Sequence, residues 1–314
     1  MTDRIWEIVK NAEELPKYLY KYSTISIDHL HELKDDFKVL DAAGKISGHP
    51  VFRKYIGYQT YEVPETFPDA KSVIVIAVSV PLMTVNFHHE GSKHEILVPH
   101  YYDDGVAEDQ LKMTIKNRII GHEGYRIENA KESVLFKRLA VRSGLGKYGR
   151  NNLCYVDGFG SFLRLHAFFS DFEFGVDKWT DAQMMDSCEN CQICKNNCPT
   201  GSISRENFVI DVGKCIPLYN EVQGEFPEWM SPSSHNALMG CMKCQLNCPV
   251  NETAITQAQQ FNDISEEETM ALLEGNIDGS PIDFLWTKLR LFKPEDAWYF
   301  VPVFSRNLRA LLCR

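Results

Sequence analysis

The run Cys188-Glu-Asn-Cys191-Gln-Ile-Cys194-Lys-Asn-Asn-Cys198-Pro199 constrains this chain more than any other stretch. An answering run, Cys241-Met-Lys-Cys244-Gln-Leu-Asn-Cys248-Pro249, stands downstream, with Cys215 between the two. Together they take eight of the ten cysteines. Two-residue gaps let one tight loop bring three thiolates to a single small volume, and a fourth must then arrive from elsewhere. Pro199 and Pro249 fix the backbone direction just after a cysteine and carry no amide hydrogen.

Thiolates in this number and spacing point to iron–sulfur chemistry. Three cysteines two residues apart, then a fourth followed by proline, is the two-cluster ferredoxin spacing, in which the fourth cysteine ligates the other cluster of the pair. That crossover rule assigns Cys188, Cys191, Cys194 and Cys248 to one 4Fe–4S cluster, and Cys198, Cys215, Cys241 and Cys244 to the other. Two structural zincs or a disulfide framework are the alternatives. Zinc sites usually pair two Cys-x-x-Cys knuckles and do not need a third interlocked cysteine at the same spacing. The cysteine region carries more acidic than basic side chains, which suits docking of a basic patch on a low-potential electron donor of the ferredoxin or flavodoxin type.

With 314 residues the chain is long enough for a full hydrophobic core in one large or two ordinary domains. Its 44% hydrophobic and 24% charged residues are those of a soluble globular protein. The net charge of −10 argues against a polyanion as the main partner. Met1 to Glu7 lacks the charged start and apolar run of an export signal. The apolar run Val73 to Val80 is far too short to span a membrane. A cytoplasmic location with no membrane contact is therefore expected, and it suits reduced thiols. Cys154 and Cys313 stand alone and read as small packing residues.

Periodicity supplies the rest of the outline. Ile27, Leu30, Leu33, Phe37 and Leu40 recur at helical spacing, so the first sixty residues read as mostly helical. Tyr55, Tyr58 and Tyr61 follow as surface-packing aromatics. Ser72 to Val80 is a continuous β-branched run, which predicts a central strand buried on both faces. His88, His89, His94 and His100 match no common metal spacing and read as a polar loop. A helix is expected over 107–120 and another around Val134 to Ala140. That second helix leads into Ser143-Gly144-Leu145-Gly146-Lys-Tyr-Gly149-Arg150-Asn151, whose glycines let the backbone approach a ligand. Asn152 to Val156 and Ser161 to Phe169 read as a hairpin, with His166 a core histidine that has a hydrogen-bond partner. Ser265 and Glu268 form a capping-box pattern, and a helix ends the chain. Four segments result: a helical segment 1–60, a core 61–180, a cluster domain 181–255 and a C-terminal helical segment 256–314 packing on the core.

Several stretches combine into a resemblance: Arg138-Leu139-Ala140, then Gly144-Leu145-Gly146-x-x-Gly149-Arg150-Asn151, then Gly160-Ser161-Phe162, then the cysteine runs ending Cys248-Pro249-Val-Asn251. This set resembles the epoxyqueuosine reductase and reductive dehalogenase superfamily. The resemblance implies an α+β fold, with a nitroreductase-like cobalamin-binding core and a bacterial ferredoxin-like domain holding two 4Fe–4S clusters. It implies a reductase in which the clusters deliver electrons to a base-off corrinoid that reduces a small-molecule substrate. On that likeness Gly144, Leu145, Gly146, Gly149, Arg150, Asn151, Gly160 and Ser161 face the cofactor. The chemistry is then the cofactor's, and the protein supplies position and electrostatics.

The chain departs from the pattern where the epoxyqueuosine reductases carry a catalytic aspartate. A gapless match puts Ala130 there, leaving Glu128 or Glu132 as proton-donor candidates. The dehalogenase branch uses a tyrosine instead, for which Tyr101, Tyr102 and Tyr125 are candidates, while Tyr148 sits inside the glycine loop itself. The negative charge speaks against transfer RNA as a partner. Three further readings stay open: an electron-transfer protein that reduces a corrinoid protein or flavin on a partner, an epoxyqueuosine reductase acting on transfer RNA, and FMN in place of cobalamin in the core.

Overall fold

The computed structural model describes residues 7–8, 19–99, 108–205, 209–277 and 280–312. Its strands, in chain order, are β1 Glu7–Ile8, β2 Leu19–Ser26, β3 Ser72–Ser79, β4 Met83–His89, β5 Ser92–Val98, β6 Ile127–Asn129, β7 Lys147–Tyr148, β8 Cys154–Tyr155, β9 Leu163–Ser170 and β10 Gln259–Gln260. Two compact units are formed. The first takes in the described residues of Met1–Val80, Val106–Cys191 and Arg205–Val209; the second takes in those of Pro81–Gly105, Gln192–Ser204 and Ile210–Arg314.

In the first unit a sheet of order β1-β2-β3-β9-β6 is antiparallel at every pairing. β3 is its middle strand, as the unbroken β-branched run predicts, and Val73 through Val78 are wholly buried. Successive side chains on a strand point to opposite faces. Val73, Val75 and Ala77 therefore pack with Leu30, Leu33, Leu139 and Phe169 on one side. Ile74, Ile76 and Val78 pack with Leu111, Ile115 and Phe168 on the other. The helices Leu30–Ala42 and Phe136–Arg142 cover the first face. The helix Glu108–Thr114 and its π-type continuation Ile115–Ile120 cover the second.

Three expectations fail here, each for a tertiary reason. Leu19–Ser26, placed in a helical segment, is a strand because it pairs residue by residue with β3, from Tyr20 opposite Val78 to Ser26 opposite Ser72. Strand preference is decided by such partners more than by local propensity. The hairpin expected across 152–169 reduces to the single bridge Val156–Gly160, since β8 pairs with β7 while β9 runs between β3 and β6. Tyr61 is buried rather than superficial and holds a positive φ of 56°, whereas Tyr55 and Tyr58 are exposed.

The second unit has a three-stranded sheet, β10-β4-β5. Its hairpin β4–β5 occupies the histidine-rich stretch expected as a loop. Glu90 and Gly91 both adopt positive φ at its tip, the conformation that two-residue hairpin turns require. Val85, Phe87, Ile96 and Val98 face a core shared with Leu272, Phe284, Val301 and Phe304. His88 bonds to Asp263 at 2.9 Å; His100 lies outside the described residues. The apolar alternation was present in the sequence but obscured by the histidines between its members. Ser265 and Glu268 complete the capping box of the helix Glu266–Glu274, and the last described helix is Ala297–Leu312.

The units also divide the chain differently from the four expected segments. Residues 81–99 fold with the second unit, because β4 pairs with β10, and residues 181–191 fold with the first. The change of composition near Asp181 marks a change of chemistry, not the place where packing stops.

Candidate functional site

Each Cys-x-x-Cys run opens a short helix: Ile193–Asn197 after the first, Lys243–Leu246 within the second. Both helices stop the same way before a Cys-Pro pair, Cys198 N donating to the Lys195 carbonyl at 3.2 Å and Cys248 N to that of Gln245 at 3.1 Å. The two helices pack together, and Asn247 Nδ2 donates to Asn197 Oδ1 at 3.2 Å. The chain thus presents one structural motif twice, side by side. The loop that delivers Cys215 is held by reciprocal bonds, Asp211 N to the Ser202 carbonyl at 2.8 Å and Ser202 Oγ to that of Asp211 at 2.7 Å.

The chemistry of this donor set fits a cluster. None of the nine described cysteines is joined in a disulfide. Burial, and then the neighbouring Cys241 and Cys198, push the Cys215 thiol up to about 12. Burial raises Cys241 as well. Thiolates crowded away from water are stable only around a cation, which is what cluster iron supplies. Among the described residues no three His, Cys, Asp or Glu side chains stand close enough to share one metal ion. A cubane spreads its ligands over four irons, so its thiolates sit further apart than those of a single zinc.

The glycine loop follows the helix Phe136–Arg142 and turns at Gly144, where φ is +70°. Its glycines are explained by packing. A Cβ on Gly146 would stand 2.6 Å from the Tyr155 carbonyl oxygen and 2.8 Å from Cys154 Sγ; one on Gly149 would overlap the Tyr155 ring. Asn151 is buried, donating through Nδ2 to the Tyr155 hydroxyl at 2.9 Å and accepting from Leu153 N at 3.3 Å. Leu145 packs on the first core, Gly160 closes the 156–160 turn and Ser161 is buried. Arg150 reaches four backbone carbonyls, those of Cys188, Glu189, Cys191 and Arg205. Within the first unit, then, Gly146 and Gly149 lie against Tyr155, and the side chains of Arg150 and Asn151 are engaged in hydrogen bonds.

The proton-donor candidates are not brought together. Glu128 lies on β6, ion-paired with Arg126 and accepting from Thr66 Oγ1 at 3.4 Å. Glu132 is exposed in the turn beyond, its carbonyl accepting from Thr60 N at 3.0 Å. Ala130, between them, is wholly buried. Tyr101 and Tyr102 lie outside the described residues. His166 Nε2 is buried and has no hydrogen-bond partner among the described residues. Desolvation, then the charge of Arg164, lowers it to about 4, so the ring is neutral near pH 7.

One arrangement left no trace in the sequence. Arg142 is buried, bonds Glu32 at 2.8 Å and Asp181 at 3.0 Å, and lies 4.3 Å from the Trp179 ring centre. Trp179 Nε1 donates to the same Glu32 carboxylate at 2.8 Å. A hydrogen bond from His29, working against desolvation, holds Glu32 below the usual carboxylate range, with Trp179 assisting. This network ties the helices Leu30–Ala42 and Phe136–Arg142 to the segment that leads towards Cys188.

Fold and cysteine chemistry together define an α+β protein with a ferredoxin-like iron–sulfur domain, and residues 187–251 match the 4Fe-4S double cluster binding domain. Known proteins narrow the class. An epoxyqueuosine reductase of Shewanella oneidensis is 34% identical over 131 residues, 41% of this chain and 32% of that protein. An epoxyqueuosine reductase of Bacillus cereus is 25% identical over 263 residues, 76% of this chain and 65% of that one. A solved epoxyqueuosine reductase bound to an epoxyqueuosine-modified tRNA-Tyr stem loop has the same fold, with a TM-score of 0.61 at 19% identity over 93% of this chain and 76% of that one. Over the matched stretches the chain is similar to epoxyqueuosine reductases, and its fold is that of the solved one. Its match spans about a third of the length of the first of these relatives. No described helix is long and apolar enough to cross a membrane.

Proposed function

We propose that this chain is an iron–sulfur oxidoreductase. Two 4Fe–4S clusters, one on Cys188, Cys191, Cys194 and Cys248 and the other on Cys198, Cys215, Cys241 and Cys244, pass low-potential electrons from a soluble donor to an acceptor. The single observation that carries this reading is the double-cluster match over 187–251, which covers all eight thiols. The chain's own part is to hold the thiolates at fixed geometry through the two short helices and the Ser202–Asp211 bonds. A corrinoid as that acceptor is the finer reading, and its support is the family resemblance. Anaerobic reconstitution, with iron and sulfide analysis and absorbance spectra with and without cobalamin, tests both levels. Two clusters with no corrin uptake leave an electron-transfer protein, flavin absorbance points to FMN, and failure to bind iron refutes the reading.

A second reading is epoxyqueuosine reduction on transfer RNA. It is favoured by the names of the relatives and by the stem loop bound to one of them. The buried Ala130, where the family pattern has aspartate, weighs against it. Incubation of fully reduced protein with epoxyqueuosine-containing tRNA decides: queuosine formation supports the reading, and an absence of product from cluster-loaded protein removes it.

A further inference from the structure

We infer that Arg150 is a positioning residue for the cluster ligated by Cys188 and Cys191, and that its buried charge raises the reduction potential of that cluster. The inference rests on the cluster assignment proposed above. Arg150 is only 8% exposed. Nε donates to the Cys191 carbonyl at 3.0 Å, one terminal nitrogen donates to those of Cys188 at 2.5 Å and Glu189 at 3.1 Å, and the other reaches that of Arg205 at 3.4 Å. Among the described residues it forms no ion pair. Among the described residues its positive charge is therefore balanced by carbonyl dipoles, three of which belong to the Cys-x-x-Cys loop itself.

Two consequences follow from elementary electrostatics. First, the rigid guanidinium fork draws the 188, 189 and 191 carbonyls towards one point and so sets the curvature of the loop that presents both thiols. The segment leading into the loop is held by Tyr148, whose carbonyl accepts from Met185 N at 2.8 Å and whose amide donates to the Gln183 carbonyl at 2.8 Å. Second, reduction by one electron adds one negative charge to a cluster. A fixed cation buried next to two of its ligands stabilises the reduced form more than the oxidised form, and low local dielectric enlarges the difference. An uncompensated buried guanidinium is costly to keep, and a nearby anionic cluster supplies the missing countercharge.

The test compares Arg150→Gln and Arg150→Lys with the wild type, each reconstituted anaerobically. Iron and sulfide content is measured first, then reduction potentials by EPR-monitored redox titration. Removing the charge in Arg150→Gln is expected to shift one cluster's reduction equilibrium about tenfold towards the oxidised form, a fall of ~59 mV. Arg150→Lys is expected to keep a potential near the wild type. If Arg150→Gln is too unstable to hold that cluster while Arg150→Lys retains it, the charge role still stands. The inference is overturned if both variants keep the wild-type potential, or if both lose the cluster alike, which would mark a purely geometric clamp. Wild-type protein that binds fewer than two clusters would instead remove the underlying assignment, and the inference with it.

Discussion

Gly146 runs so close to Tyr155 that a Cβ added to it would stand 2.6 Å from the Tyr155 carbonyl oxygen. The obstacle is backbone, which cannot rotate aside. Gly146→Ala is expected to destabilise the first unit by about 1–3 kcal/mol through overpacking. Gly48→Ala, at ordinary φ with nothing within 4 Å, should change stability by less than about 1 kcal/mol. Denaturant unfolding of the two variants checks the contrast, and equal stabilities would contradict the packing account.

His166 makes stability sensitive to acid. Its folded-state value of about 4 lies below the ordinary 6.5. Its contribution is whole above pH 6.5 and is lost as pH falls towards 4, because the unfolded chain takes up the proton first. Urea midpoints measured down this range should fall less steeply in His166→Asn than in the wild type.

Alkali acts on another pair. Burial pushes the Cys154 thiol and the Tyr148 hydroxyl up to about 12, from ordinary values of 9.0 and 10.0. Both groups stay protonated in the fold while the unfolded chain ionises, so stability is whole below those ordinary values and lost as pH rises towards 12. Thermal midpoints of Tyr148→Phe should decline less above pH 10 than those of the wild type; parallel declines would rule Tyr148 out.

Loss of one ligand should empty one cluster. Cys215→Ser is expected to retain about half of the bound iron, since the other cluster keeps its four thiolates. Cys154→Ser, whose thiol packs in the first core, should retain all of it. Iron analysis after anaerobic reconstitution distinguishes the two outcomes, and full iron retention in Cys215→Ser would dismiss the ligand assignment.

The reciprocal bonds between Ser265 and Glu268 satisfy two amides at the start of their helix, Ser265 N to Glu268 Oε2 at 2.8 Å and Glu268 N to Ser265 Oγ at 3.2 Å. Ser265→Ala should cost about 1 kcal/mol in denaturant unfolding. Ser265→Asp, which keeps an acceptor at the cap, should recover most of it.

By itself the sequence determined whatever depends on short-range chemistry. The cysteine spacing declared the cluster domain because ligand geometry is dictated by a few consecutive residues. The run Ser72 to Ser79 announced the central strand because burial on both faces leaves no polar alternation, and the Ser265–Glu268 box announced a helix start. Tertiary structure alone decided what depends on partners distant in the chain. Leu19–Ser26 became a strand through β3, the histidine-rich stretch became a hairpin through its hidden apolar alternation, and Arg142 found Glu32 and Asp181 far along the chain. The glycine loop shows the difference most sharply. Its residues announce permissive backbone, but only the fold shows that Gly146 and Gly149 make room for Cys154 and Tyr155. It also shows that Arg150 turns its charge onto the carbonyls of the cysteine loop. A glycine's missing side chain and an arginine's reach have no direction until the rest of the chain surrounds them.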